Sequence, residues 1–536
     1  QKRLLVDFAD LGISPDNLEG MSLGPVLADG RQSLIVVSDN NFNSTQTTQV
    51  IALGLDMETL PAVLPVVETP YTIDDEAGET PLVGDSDDPA VWIDPQNPEA
   101  SLVIATLKDG GLAVFNLQGE ILQTITPADQ LGDGAEYGDL RYNNVDVLYN
   151  FSLGEENVDI AIVSDRQNDT LNIFKIDPNT RQLVNITADS LSNPDFSIFG
   201  VDDGDLTAYG LAAYRSPITG QSYAFVTQAG SNQIAQLALQ ATASGTITAN
   251  IVRTIELPIE DGKEAGDYQS EAIAVDQEKG TVYLAVEGEI GIVKFAAEPN
   301  GGNTISVVRS VDSPELVPDL EGLGIYYGPN GTGYLVASSQ GDSSYAVYRR
   351  EGNNDYLGSF VIGDNLSAGI DQVNETDGLD IINVPLGPNF PLGALLVQDG
   401  ANDPQNAVEN DDELENNATN FKFVRWDDVA NAFDTPLAIT PNSYNPRGEV
   451  PALQLKVLGT YATGSYDEGA AEIPAYDPAT KRLFVVNAQN SRVDVLDLSN
   501  PSQPTFLTSI DTSAFGSPNS VAVKNGLVAA AALKRP

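Results

Sequence analysis

Residues 315–348 read ELVPDLEGLGIYYGPNGTGYLVASSQGDSSYAVY, and the fold follows from how this stretch is punctuated. Two carboxylates, Asp319 and Glu321, stand just ahead of an apolar alternation, where a strand would present them at its open end. Three strand-like runs follow, near 324–327, 333–338 and 345–349, parted by Gly, Pro and Asn turns. The prediction is a small sheet with a polar head on its first strand.

The same head and body recur. Heads are read at residues 88–92 (DPAVW), 143–146 (NNVD), 208–211 (AYGL), 270–273 (SEAI), 320–323 (LEGL) and 376–379 (TDGL). Each is followed by two further strands: LVIATLK with GLAVFNL, VDIAIVSD with LNIFKID, SYAFVTQ with QIAQLAL, TVYLAVEG with IGIVKF, GYLVASSQ with SYAVYR, and GALLVQDG with FKFVRW. A repeat of about 50 to 60 residues, all strands and without a helical period, is the signature of radially stacked sheets. The expected fold is all-β, a six-bladed β-propeller with partial propeller-like segments on either side.

Composition narrows the chemistry. The 536 residues exceed one ordinary domain, and 41% apolar content is enough to build a core. Cysteine is absent, so disulfides, thiolate metal sites and cysteine nucleophiles are excluded. Histidine is absent as well, which removes the Ser-His-Asp triad, the phosphohistidine intermediate and the imidazole zinc site. Oxygen ligands remain. A net charge of −51, from 77 acidic and 26 basic residues, disfavours nucleic acid or an anionic membrane as partner. An anion would need metal cations to invert the local field. No apolar run approaches the ~20 residues of a membrane span, and no signal-peptide pattern is visible in the sequence from Gln1 onward. The expectation is a mature or excised segment of an extracellular or periplasmic, secreted protein.

Residues 1–60 contain a head-like Asn17-Leu18-Glu19-Gly20 and two strand-like runs, SLIVVSDNN and TQVIALGL. One blade cannot bury its own faces, so this reads as the end of an upstream propeller-like domain. A Pro-rich, acidic connector to about residue 84 is either linker or an entry strand. The propeller is placed at 61–433, a turn-rich linker at 434–448, and the start of another propeller-like repeat domain at 449–536.

From Asp85 onward the motifs become specific. GDSDDPAVWIDP, NNVDV, VDIAIVSDRQN, AYGLAAYRS, PDLEGLGIYY, SSQGDSSYAVY, NETDGLDI and LLVQDGAN occur in an order and at a spacing that resemble the β-propeller phytases, over about residues 64–433. Residues 1–60 resemble the esterase-like domain that accompanies some phytase-related proteins, and the C-terminal stretch resembles a repeat domain of large secreted bacterial proteins. The resemblance implies a calcium-dependent phosphomonoesterase that hydrolyses phytate, myo-inositol hexakisphosphate, with water activated by several Ca²⁺ ions. Asp88, the Pro89 carbonyl, Asn143, the Val145 carbonyl and Asp399 match positions that hold a structural calcium. Glu271, Glu287, Asp319, Glu321, Asp371 and Asp377 match the catalytic calcium cluster, with Gln340 close to that pattern. Lys108, Arg166 and Tyr209 match residues aimed at phosphate oxygens. In catalytic roles this gives Glu271, Asp319, Glu321, Arg166, Lys108 and Tyr209.

Taken singly, these residues have plainer readings. Asp88-Pro89 alone is more often a turn than a ligand, Arg166 suits a surface ion pair, and Tyr209 suits packing. What favours the site is carboxylates recurring at equivalent positions, since like charges so arranged need a cation between them. Three departures weaken phosphate binding: Asp109, Leu148 and Ala229 stand where the family carries basic residues. Arg215 or Lys263 is a candidate to compensate. Two other functions therefore stay open: a weakly active calcium-bound propeller serving as a binding or structural module, and another metal-dependent six-bladed hydrolase.

Overall fold

The computed structural model describes Phe8, Ile13 and residues 17–27, 32–40, 47–55, 60–73, 82–126, 141–193, 195–201, 205–402, 407–410, 413–416, 418–448, 457–465, 469–524 and 526–533. Of the segments named above, much of residues 1–16, with 28–31, 41–46 and 56–59, 74–81 of the connector, 127–140, 194, 202–204, 403–406, 411–412 and 417 of the propeller, and 449–456, 466–468, 525 and 534–536 of the last stretch lie outside this set. The chain divides into two compact units, Gln1–Val450 and Pro451–Pro536.

Within the first unit, six sheets of antiparallel strands follow one another. Their innermost strands are Pro89–Trp92, Tyr142–Leu153, Ala208–Arg215, Ile273–Asp276, Leu323–Tyr327 and Leu379–Ile382, the six heads read from the sequence. Neighbouring inner strands touch in sequence order, and the last touches the first, so the ring closes. The apolar residues divide into six clusters, each shared by two adjacent blades. In the first blade, Val103 and Ala105 face the sixth blade, while Leu102 and Ile104 face the second. Side chains alternate across a strand, so a sheet buried on both faces needs a continuous apolar run. That is why LVIAT and SYAFVTQ lack a polar alternation.

The connector resolves into strands rather than free linker. Pro65–Glu68 pairs antiparallel with Ala418–Arg425, completing the sixth blade from the other end of the ring. Ala62–Val63 adds parallel to Tyr356–Ile362 at the edge of the fifth. A six-residue helix, Trp426–Asn431, ends the last blade. The following segment, 434–448, lies against the propeller: Thr440 N donates to Tyr326 Oη at 2.8 Å, and Tyr444 stacks on Tyr327 with ring centroids 4.1 Å apart. Arg447 then reaches Asp159 (Nε to Oδ2, 2.8 Å) and lies over the Tyr149 ring at 4.6 Å.

Hydrogen bonds between inner strands lock every junction. Asp380 accepts from Val91 N (2.8 Å), Tyr149 donates to Val91 O (2.8 Å), and Asp146 accepts from Ala213 N (2.7 Å). Gln277 donates to Ala213 O (2.8 Å), Tyr327 to Val275 O (3.1 Å) and Asn383 to Tyr327 O (2.6 Å).

Before the propeller, Asn17–Val26, Gln32–Asp39 and Gln49–Leu55 form a three-stranded antiparallel sheet. The second unit holds a four-stranded sheet, from Pro474–Asp477 to Thr505–Asp511, and a hairpin of Ser517–Lys524 with Leu527–Leu533. Phe484, Val486, Val493, Val495 and Val521 form its core.

Candidate functional site

Antiparallel pairing puts the start of each inner strand beside the end of the second strand of the same blade. Asp88, Asn143, Tyr209, Glu271, Glu321 and Asp377 stand at or just before inner strands. Lys108, Arg166, Glu287, Gln340 and Asp399 stand at or just after second strands. Both sets therefore lie at one end of the propeller. The glycines of the heads let adjacent blades close in there: a Cβ on Gly210 would meet Glu271 O at 2.0 Å, and one on Gly378 would meet Asp88 Oδ1 at 2.3 Å.

At this end, one carboxylate oxygen from each of Glu271, Glu287 and Glu321 lies within 4.8 Å of the others. Gln340 Nε2 donates to Glu321 Oε2 at 2.7 Å and to Asp377 Oδ1 at 2.6 Å, tying two blades together. Asn143 Nδ2 donates to Glu271 Oε1 at 2.6 Å, and Asp88 Oδ2 accepts from Val145 N at 3.0 Å. Asp319 is exposed at the rim.

Burial and mutual repulsion raise the pKa values of these acids. Burial first, then Asp377, raises Glu271. Glu287 is pushed up to about 8 by burial and the Glu271 charge, and Glu321 up to about 12 by burial and Asp377. Asp88 is raised by burial, although the Val145 amide opposes it.

One acid escaped the sequence reading. Asp87 is fully buried, and neither of its oxygens finds a hydrogen-bond donor among the described residues. Burial, then Glu271, raises its pKa strongly. Only its place immediately before Asp88 in the first head pointed to it. A buried carboxylate with unfilled lone pairs beside three converging glutamates fits a hard divalent cation, which takes six to eight oxygen ligands.

Two assigned acids pair with a lysine. Asp371 and Asp399 share the buried ammonium of Lys422, whose Nζ is 2.6 Å from Asp371 Oδ1 and donates to the Gln372 carbonyl at 2.9 Å. An ammonium has three donors, so Lys422 is saturated by these partners. A lysine is the charge partner of this pair.

The cations are fewer and more engaged. Lys108 Nζ lies 2.5 Å from Asp85 Oδ2 and 3.5 Å from Asp377 Oδ2. Burial favours its neutral form, but Asp87, Asp377 and Asp85 outweigh that and raise its pKa. Arg166 lies over the Tyr209 ring at 5.3 Å, and Tyr209 is buried beside Glu271. Of the departures, Asp109 is exposed, Ala229 is buried, and Leu148 lies in the apolar interface between the second and third blades. Neither proposed compensator is well placed. Arg215 ends the strand that Tyr209 begins, about 20 Å away at ~3.3 Å per residue, and Lys263 is paired with Glu289.

These acids predict a pH response. A carboxyl whose folded pKa exceeds its unfolded value keeps a proton that the unfolded chain has already released. Stability of the metal-free fold then falls as pH rises from the ordinary carboxylate range through the value of about 8 at Glu287. The thermal midpoint of chelator-treated protein is expected to drop between about pH 5 and pH 8, and a divalent cation to flatten the slope. A midpoint that climbs across that window in chelator rejects the repulsion described here.

Residues 66–449 match the family described as Phytase, residues 1–42 the family described as Esterase-like activity of phytase, and residues 472–536 the Choice-of-anchor I domain. The chain is 37% identical over 347 residues to the 3-phytase of Bacillus subtilis (strain 168), covering 64% of this chain and 80% of that protein. Among solved structures it is similar to the calcium-binding protein regucalcin from Agrobacterium tumefaciens, at 12% identity and TM-score 0.37, with 68% of this chain and 97% of that one covered. A luciferin-regenerating enzyme has the same identity and TM-score, with coverage of 70% and 99%. Scores this low add nothing to the fold described above.

Proposed function

Since the chain belongs to the phytase family and is a phosphoric monoester hydrolase, we propose that it releases phosphate from phytate in a calcium-dependent reaction. The observation that carries the reading is the meeting of Glu271, Glu287 and Glu321 at the end of the propeller where Lys108 and Arg166 also stand. Glu271, Glu287, Glu321, Asp377 and Asp87 would hold the catalytic cations, with Asp319 joining from the rim. Asp88 and Asn143, with the Pro89 and Val145 carbonyls, would hold a further one, while Asp371 and Asp399 enter only if Lys422 yields its place. Bound calcium supplies a polarised water as nucleophile and positive charge against the phosphate oxygens.

The remaining work falls to side chains. Lys108 and Arg166 would offset charge that develops on the non-bridging oxygens, and the Tyr209 phenol, hydrogen-bonded to Glu271, would donate to one of them only by turning from that carboxylate. Gln340, donating to Glu321 and Asp377 together, fixes the carboxylate orientation. With no histidine in the chain, no imidazole is available for acid–base work.

The test is phosphate release from phytate in calcium and in chelator, beside hydrolysis of a simple lactone. Calcium-dependent release from phytate alone is expected. Lactone turnover without phosphate release favours another hydrolase, and calcium binding without turnover favours a binding module. That second reading has one observation behind it, the engagement of Lys108 by Asp85 and Asp377. We also assign the protein to the cell exterior or periplasm, supported by the choice-of-anchor match, with the flanking segments as parts of neighbouring domains. Activity confined to the cytosolic fraction of producing cells would overturn that placement.

A further inference from the structure

We infer that Arg141, which the sequence reading did not single out, binds a substrate phosphate between Lys108 and Arg166. This rests on the phosphatase reading above and names a further residue of that site.

The backbone brings the three cations together. Tyr142 N donates to Lys108 O at 3.1 Å, and Arg166 N donates to Arg141 O at 2.9 Å. Arg141 thus enters the inner strand of the second blade stitched on one side to the loop carrying Lys108 and on the other to the loop carrying Arg166. Two residues further on, Asn143 reaches Glu271, so the strand start faces the carboxylate cluster.

Electrostatics reports the same proximity. The Arg141 charge acts on Lys108, on Arg166 and on Glu271. For Arg166 it is the largest influence after burial, and both lower the pKa. Only 26 residues of the chain are basic against 77 acidic ones, so three cations at one place concentrate the charge that a phosphate needs.

Of the three, Lys108 is committed to Asp85 and Asp377, and Arg166 lies on Tyr209. The Arg141 Nε is buried and has no acceptor among the described residues. A guanidinium fork matches two phosphate oxygens, which a lysine ammonium cannot do. Arg141 therefore supplies charge that Asp109, Ala229, Arg215 and Lys263 do not.

The test uses the full chain with phytate as substrate and inorganic phosphate as competitive inhibitor. For Arg141→Gln, the phosphate inhibition constant and the KM for phytate are each expected to rise about tenfold or more, the loss of one charge-assisted contact. Arg141→Lys should recover part of this at an unchanged thermal midpoint, because it keeps the charge without the fork. Parental constants in Arg141→Gln, within about twofold, overturn the proposal. Should that variant not fold, Arg141→Lys alone decides, and a parental inhibition constant overturns the bidentate grip. If the parent releases no phosphate from phytate, the phosphatase reading fails by itself. Calorimetric binding of inorganic phosphate then judges Arg141: binding lost in Arg141→Gln supports it, and binding unaffected or absent in the parent overturns it.

Discussion

Glu271→Gln is expected to lower calcium-dependent phosphate release by at least about 100-fold, because a first ligand should cost no less than the 10- to 100-fold typical of groups that merely orient ligands. Glu271 is buried at 5% exposure, accepts from Asn143, and shares the 4.8 Å group with Glu287 and Glu321. Glutamine keeps its shape and removes its charge. Burial and Asp377 already disfavour the ionised form, so the metal-free variant should unfold at the same temperature as the parent or higher. Loss of activity with gain of apo stability separates a ligand from a structural residue. Asp319→Asn should lower activity with little change in stability, since Asp319 is exposed. Full calcium-dependent turnover in the Glu271 variant would refute the site.

Arg350→Met should destabilise the propeller by about 3–5 kcal/mol, the cost of breaking a buried ion pair from one side. Arg350 and Asp276 are both fully buried in side chain, joined by Nε to Oδ2 at 2.6 Å and Nη2 to Oδ1 at 2.5 Å. Nη2 also meets Glu278 Oε2 at 2.7 Å, and the guanidinium lies over Tyr327 at 4.3 Å, the ring on which Tyr444 stacks. The group thus pins the fourth blade to the fifth and holds the returning segment. Denaturant unfolding in the presence of calcium measures the loss. Adding Asp276→Leu should restore part of it by removing the stranded carboxylate. A change below about 1 kcal/mol for Arg350→Met would mean that the pair is not the junction's anchor.

The propeller was legible because its physics is local and repeated. Runs such as LVIATLK and SYAFVTQ announce strands buried on both faces, and the head motifs mark where each blade begins. Tight approaches across the heads, such as Gly378 against Asp88, explain why a glycine follows the acid. The acids of the heads, Asp88, Glu271, Glu321 and Asp377, recur at equivalent positions on the blades, and the resemblance to the β-propeller phytases added Glu287 and the ligand roles. Asp87 was not legible, since a single carboxylate beside another carries no period.

Pairing across long separations was beyond reach. Nothing in the sequence says that Pro65–Glu68 closes the sixth blade, or that residues 434–448 return across the inner-strand ends. The same holds for charge partners. Asp371 and Asp399 carry the residue type of metal ligands, yet the ring brings them to Lys422, and Arg141 reaches the mouth through bonds to two other loops. Composition and spacing determined the three inner strands of each blade, the number of blades and the absence of histidine and cysteine chemistry, while the outer strands, such as Ile121–Ile125 and Ile247–Glu256, were not read. Which acid meets a lysine and which meets other acids was decided only by the tertiary structure, because charge balance depends on distances of a few ångströms between blades far apart in the chain.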